Sequence, residues 1–268
     1  MSKLQGMGRR REIRGLTLRT LIPNAITAAA MCLGLTAIRA AIMQDWDAAV
    51  LLVFAAGILD GLDGRTARFL NAQSKFGAEL DSLADSLSFG VAPALIIYLW
   101  SLQFLPRIGW FAALAVAVAC ALRLARFNAR IDTDEQPHKS AGFLTGVPAP
   151  VGAGVAFLPM YLWLESGNPL LREPVLVAIW LVMIAFLMIS NTATLSWTSL
   201  RPRRNIRLEL LLLVGLLVAA LILEPWIALS VISIGYLATV PYSIVRYRRI
   251  RQQRAAAAAK RDAPEPHA

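Results

Sequence analysis

Several runs in this 268-residue chain reach the roughly 18–20 apolar residues that carry an α-helix across a bilayer. Such runs leave few folds open. Within hydrocarbon every backbone N–H and C=O must be paired internally, so the runs must be helical. Eight candidate spans follow, at about 20–43, 46–64, 77–102, 108–128, 147–165, 173–196, 207–223 and 225–246. Only 16% of residues are charged, where a soluble domain carries about a quarter. The expected fold is an all-α integral membrane bundle of about eight transmembrane helices. A basic cytoplasmic segment (1–19) precedes the membrane domain (20–246), and a basic tail (247–268) follows it. The first run is too long for a signal-peptide core and has no small-residue cleavage site behind it. No internal repeat is evident.

The net charge of +10 would point to nucleic acid in a soluble protein. Here its distribution gives a different reading. With the N-terminus in the cytoplasm, 24 of the 27 Lys and Arg fall in cytoplasmic segments, leaving Arg39, Arg107 and Arg172 at or near the far ends. That asymmetry places both termini inside, with no nucleic-acid partner expected. Trp46, Trp100, Trp110, Trp163 and Trp226 fall near the outer ends, Trp197 at the inner end and Trp180 in mid-span. The segment 8–22 mixes basic and apolar residues, which suits either a helix along the inner surface or a plain topology signal. The tail begins as a basic helix extension and ends polar, a composition expected to be mobile. Cys32 and Cys120 lie in apolar runs with no metal-ligand spacing and read as buried thiols.

Against this background Asp60, Asp63, Asp81 and Asp85 stand out. Acids at membrane depth are costly and usually face a cavity or a partner. Asp60, Asp63, Gly64, Ala67 and Arg68 share one helical stripe, and Gly77, Asp81 and Asp85 share another. The short polar stretch 69–76 makes the two helices antiparallel neighbours, so the acidic stripes can face each other just inside the inner surface. Four converging carboxylates must take up protons or bind cations. Oxygen-only ligands suit hard ions such as Mg²⁺ or Mn²⁺, and two facing pairs suggest two ions, a recurrent device in phosphate chemistry. Gly64 and Ala67 would let a bulky anion approach the backbone, and Arg68 offers a planar fork for phosphate. Gly77 would open the facing helix. Taken singly, the glycines also suit close helix packing and Arg68 an aspartate partner.

Asp60, Asp63, Gly64, Ala67, Arg68, Gly77, Asp81 and Asp85 spell D-x2-D-G-x2-A-R-x8-G-x3-D-x3-D. This resembles the signature of the CDP-alcohol phosphotransferase family, with every position filled. The resemblance implies that the four aspartates hold two metal ions and that Asp85 also acts as base toward the acceptor alcohol. It implies that Gly64, Ala67 and Arg68 bind the CDP moiety, helped by Ser74, with Asn24 and Thr27 close to the nucleotide. It also implies a helical homodimer whose polar cavity opens to the cytoplasm and sideways to lipid.

The segments 20–27, 121–130 and 142–154 resemble the bacterial branch of that family that uses L-serine, with Val147 where Leu is usual. The expected reaction is phosphatidyl transfer from CDP-diacylglycerol to L-serine, in the bacterial inner membrane with the site facing the cytoplasm. Glycerol 3-phosphate, an inositol derivative or choline are the alternative acceptors. A proton or ion carrier built on the aspartates is a rival of another class, and an inactive scaffold is disfavoured by the cost of its acids. Arg123, Arg126 and Asn128 suit a carboxylate-bearing acceptor and equally suit positive-inside anchoring. Pro148 and Pro150 read as shaping a helix entry, and His138 as a loop residue. Ser190, Asn191, Thr192, Thr194 and Ser196 suit either a cavity lining or a helix end. The last two spans carry no recognisable motif.

Overall fold

The computed structural model describes residues 18–131, 143–190, 193–195 and 207–261. The basic segment 1–17, His138, Asn191, Thr192, Ser196, Trp197 and the last seven residues lie outside them. Among the described residues, ten α-helices run in order: Leu18–Ile42 (α1), Trp46–Phe69 (α2), Lys75–Asp85 (α3), Ala92–Trp100 (α4), Ile108–Ile131 (α5), Ala149–Ala156 (α6), Leu158–Ser166 (α7), Pro174–Ile189 (α8), Arg207–Leu223 (α9) and Pro225–Arg261 (α10). Each of the eight apolar runs contributes α-helix, and the described residues are nearly all α. Among the described residues, four helical stretches are long and apolar enough to cross a membrane: 19–42, 75–100, 108–129 and 225–243. Helix α8 and residues 211–223 of α9 are apolar but shorter. Helix α2 is long enough, but it carries Asp47, Asp60, Asp63, Arg65 and Arg68.

Three elements depart from the sequence expectation, each for a local reason. The span expected at 147–165 is two helices meeting at Phe157, because Pro159 has no N–H to continue the ladder. The span expected at 77–102 has a π turn at Ser86–Val91, where the Ala92 N–H bonds back to the Leu87 carbonyl. Pro93 is the cause, since it cannot donate to Phe89 and the ladder must slip. The span expected at 173–196 ends at Ile189. Residues Ala193–Leu195 (β2) instead pair antiparallel with Phe143–Thr145 (β1), Phe143 opposite Leu195. Thr194 therefore belongs to a strand and not to a helix end. Gly146, at φ +73°, makes the turn out of β1, its α-carbon so close to the Met188 and Ser190 carbonyls that a side chain would not fit.

Helices α1 and α2 pack on each other, and Ala37 and Ala41 of α1 and Ala49 and Ala56 of α2 are buried, small side chains that permit close approach of helix backbones. Helix α5 packs mainly on α8, and α10 packs on α7, α9 and β2. Apolar side chains also cover the outside. Leu211, Leu212, Leu216 and Ile222 of α9 are largely exposed, as a lipid-facing surface requires.

The expected outer end is tied by Arg172, in the 3-10 turn Pro169–Arg172. Its Nε donates to the Trp100 carbonyl at 2.8 Å, and its own carbonyl accepts from the Ser101 hydroxyl at 2.8 Å. The guanidinium lies 5.2 Å from the ring centre of Trp163, 5.9 Å from Trp46 and 6.0 Å from Trp100. One cation thus joins α2, α4, α7 and the start of α8.

Candidate active site

The last three turns of α2 and the whole of α3 form the wall of the site. Between them Leu70 and Asn71 close the C-terminal turn of α2, Asn71 at φ +49°. Ser74, in extended conformation, begins α3 as its N-cap, its Oγ accepting from the Gly77 N–H at 3.0 Å. This tight return makes α2 and α3 antiparallel and sets Asp60 and Asp63 opposite Asp81.

One carboxylate oxygen from each of Asp60, Asp63 and Asp81 lies within 4.8 Å of the others. Asp85 joins the group through Asp60, whose carboxyl it meets at hydrogen-bonding range. Its Oδ1 is buried and makes no hydrogen bond. Carboxylates this close repel unless positive charge sits among them. Three oxygen donors at this spacing fit one hard divalent cation, and the orphaned oxygen of Asp85 fits a ligand or proton donor that completes the site. The π turn begins immediately after Asp85, a placement frequent at functional sites.

Helix α1 supplies the support. Asp63 is only 4% exposed and accepts from the Thr27 hydroxyl at 2.6 Å. The same hydroxyl lies 3.1 Å from the Pro23 carbonyl, the usual back-contact of a helical threonine. Thr27 was expected beside a nucleotide; here it orients an aspartate of the cluster. Asn24, one turn earlier, packs on Gly77.

The two motif glycines part company. A Cβ on Gly77 would stand 2.9 Å from Asn24 Oδ1 and 3.2 Å from Ser74 Oγ, so Gly77 serves close packing between α1 and α3. The opening expected there is filled. A Cβ on Gly64 would meet no atom within 4 Å. Nothing in the fold requires glycine there, and the backbone beside Asp63 is open to an incoming group. Arg68, one turn further on the same stripe, is exposed, and Ala67 between them is half-buried.

The three polar residues of α5 also separate. Arg126 Nη1 donates to the carbonyl of Ile189, the last residue of α8, at 2.9 Å, where a cation offsets the helix C-terminus. Asn128 Nδ2 donates to Ser82 Oγ of α3 at 2.9 Å. Arg123 instead lies within electrostatic reach of Asp85, and its Nε is buried without a hydrogen bond. Of the three, Arg123 is directed at the carboxylates.

With this geometry in place, comparison with known proteins is specific. The family model for CDP-alcohol phosphatidyltransferases matches residues 20–192, and a second, described as CDP-alcohol phosphatidyltransferase 2, matches residues 205–241. The chain belongs to the CDP-alcohol phosphatidyltransferase family, and it is an integral membrane member of it. A protein of Mycobacterium tuberculosis is 37% identical over 92% of this chain and 85% of its own length. One of Mycobacterium leprae is 36% identical over 97% and 90%, and one of Helicobacter pylori 35% over 85% and 91%. Each of these three is named CDP-diacylglycerol–serine O-phosphatidyltransferase. The second model covers α9 and the first half of α10, where the sequence offered no motif. Membership of an enzyme family leaves the ion-carrier reading without support.

Proposed function

We propose that this chain transfers the phosphatidyl group of CDP-diacylglycerol to L-serine, giving phosphatidylserine and CMP. The observation that carries the chemistry is the meeting of Asp60, Asp63 and Asp81 from two antiparallel helices, beside an open backbone at Gly64. The choice of serine draws on the relatives named above.

Asp60, Asp63, Asp81 and Asp85 would hold two divalent ions, Mg²⁺ or Mn²⁺. When bound, such ions neutralise charge that develops on the departing nucleotide phosphate. The remaining steps fall to the side chains. Gly64 and Ala67 leave room for the diphosphate, and Arg68 grips its oxygens from the exposed rim of the same stripe. Asn24 and Ser74, in contact around Gly77, fix the start of α3 and hence the height of Asp81. Thr27 holds Asp63 in place. Asp85 accepts the serine hydroxyl proton as that oxygen bonds to the lipid-side phosphorus, and the bond from this phosphorus to the CMP oxygen breaks. The buried, unbonded Oδ1 of Asp85 supports this role. Arg123 faces the serine carboxylate. Arg126 and Asn128, placed beside it in the expected acceptor pocket, would act by fixing α5 against α8 and α3.

An apolar cleft of about 260 Å³ lined by Val53, Gly57, Phe89, Pro150 and Phe157 begins one turn from Asp60 and suits an acyl chain. Chemistry at this depth keeps the acyl chains in lipid while nucleotide and serine arrive from water. We place the site on the cytoplasmic face of a bacterial inner membrane, in a homodimer, with eight membrane crossings, on the charge asymmetry and the family resemblance.

The test is an acceptor screen on the purified protein with radiolabelled CDP-diacylglycerol, divalent metal and, in turn, L-serine, glycerol 3-phosphate, inositol derivatives and choline. Serine-dependent CMP release with phosphatidylserine identified by mass is expected. Serine inactive and another alcohol active would reject the choice.

A further inference from the structure

We infer that Gly154 of α6 selects which acyl chains this enzyme accepts, by keeping open the cleft that seats one chain of the lipid substrate. The inference rests on the phosphatidyl-transfer reading above and goes beyond it by naming a residue that discriminates among lipid tails.

The first observation is that the apolar cleft continues the carboxylate site. Val53, Gly57, Asp60 and Gly64 fall at i, i+4, i+7 and i+11 of α2, one face of the helix. Residues Val50 to Ile58 of α2 make one wall of the cleft, about 12 Å long at the helical rise per residue. Pro150, Val151 and Gly154 of α6 and Tyr161 of α7 line it as well. Phe89, buried and only four residues after Asp85, joins the lining from the π turn. A diphosphate seated at Asp60 and Gly64 therefore has an apolar channel leading away from it along the same helix face. The occupant that matches both ends is a fatty acyl chain joined to that head. Burial of its methylenes is the gain on binding.

The second observation is what the glycines of α6 do. Glycine inside a helix is destabilising relative to alanine, so its presence calls for a reason. Gly152 has one in packing, because a Cβ there would stand 2.8 Å from Met188 Sδ of α8. Gly154 has none. It is half-buried, it lines the cleft, and a Cβ there would meet no atom within 4 Å. On α2, a Cβ at Gly57 would reach Phe89 Cε1 at 3.6 Å, an ordinary contact. The free space at Gly154 is thus cleft space, and any side chain there would take it from the acyl chain.

Gly154→Leu and Gly154→Ala test this with purified protein in one detergent. The readout is the ratio of kcat/KM for CDP-diacylglycerol with two oleoyl chains to that with two hexanoyl chains. The leucine excludes about two methylenes of a long chain from the cleft, so the ratio should fall on the order of 10-fold. With alanine it should fall about fourfold, the loss of about one methylene, while thermal unfolding stays equal or rises. Gly152→Ala, on the same helix, should leave the ratio within twofold. The leucine variant decides where it folds, and the alanine variant where it does not. A ratio within twofold of the unaltered protein's overturns the inference and leaves the cleft to bulk membrane lipid or to a second copy of the chain. An equal fall in Gly152→Ala overturns it too, since α6 packing would then be the cause. The ratio is read with whichever alcohol the protein accepts, so a wrong choice of serine leaves this test intact. No CMP release from either lipid with any acceptor rejects the functional reading, and this inference with it.

Discussion

Gly64→Ala separates binding from folding more cleanly than any other change in the site. Gly64 lies within α2, is exposed, and a Cβ built there meets no atom within 4 Å. The substitution therefore introduces no clash. Replacing an interior helical glycine by alanine stabilises a helix by roughly 0.5–1 kcal/mol, so the folded state should gain slightly. The added methyl occupies the space beside Asp63 into which the diphosphate must come. Displacing a reacting group by about 1 Å can cost on the order of 100-fold in rate. We expect kcat/KM for CDP-diacylglycerol to fall by about 10- to 100-fold, equivalent to roughly 1.4–2.8 kcal/mol, while thermal unfolding stays equal or rises. The assay is CMP release in detergent micelles over a range of CDP-diacylglycerol, paired with an unfolding curve of the same preparation. Full activity in a folded Gly64→Ala protein would refute the reasoning, because the open space would then not be the nucleotide's path.

Gly77→Ala should behave in the opposite way. Its Cβ would crowd Asn24 Oδ1 at 2.9 Å and Ser74 Oγ at 3.2 Å, so unfolding should shift down by about 1–3 kcal/mol as in other overpacked contacts, measured by thermal denaturation. Thr27→Val keeps the volume and removes the 2.6 Å hydrogen bond to Asp63; a loss of about 1.5–3 kcal/mol is expected, read as weaker activity that extra divalent metal partly restores. Arg172→Ala removes a hydrogen bond to Trp100 and three aromatic contacts. It should lower stability by about 2 kcal/mol with kcat within twofold, since this tie is at the opposite end of the helices from Asp85.

How far the sequence could be read depended on whether the signal was local. The stripes of Asp60, Asp63, Asp81 and Asp85 follow from helical periodicity and a short return loop, and the structure places three of these carboxylates within 4.8 Å. The roles of Gly64 and Gly77 could not be told apart from spacing. The difference lies in Asn24, more than 50 residues from Gly77 in sequence and in contact with it. Arg123, Arg126 and Asn128 posed the same problem, solved only when Ile189 and Ser82 were found as partners of the last two. The π turn after Asp85 did have a local signal, Pro93, as did the break at Phe157, Pro159. The pairing of β1 with β2 had none, being a non-local contact between short segments at the ends of α5 and α8.

The central claim is that carboxylates from α2 and α3 are tolerated in this membrane protein because they jointly hold divalent cations. Electron paramagnetic resonance of Mn²⁺ titrated into the purified protein measures this directly. The account predicts bound Mn²⁺ in the unaltered protein and loss of most of that signal in both Asp60→Asn and Asp81→Asn, one from each helix. Mn²⁺ binding that is absent in the unaltered protein, or undiminished in both variants, would contradict it.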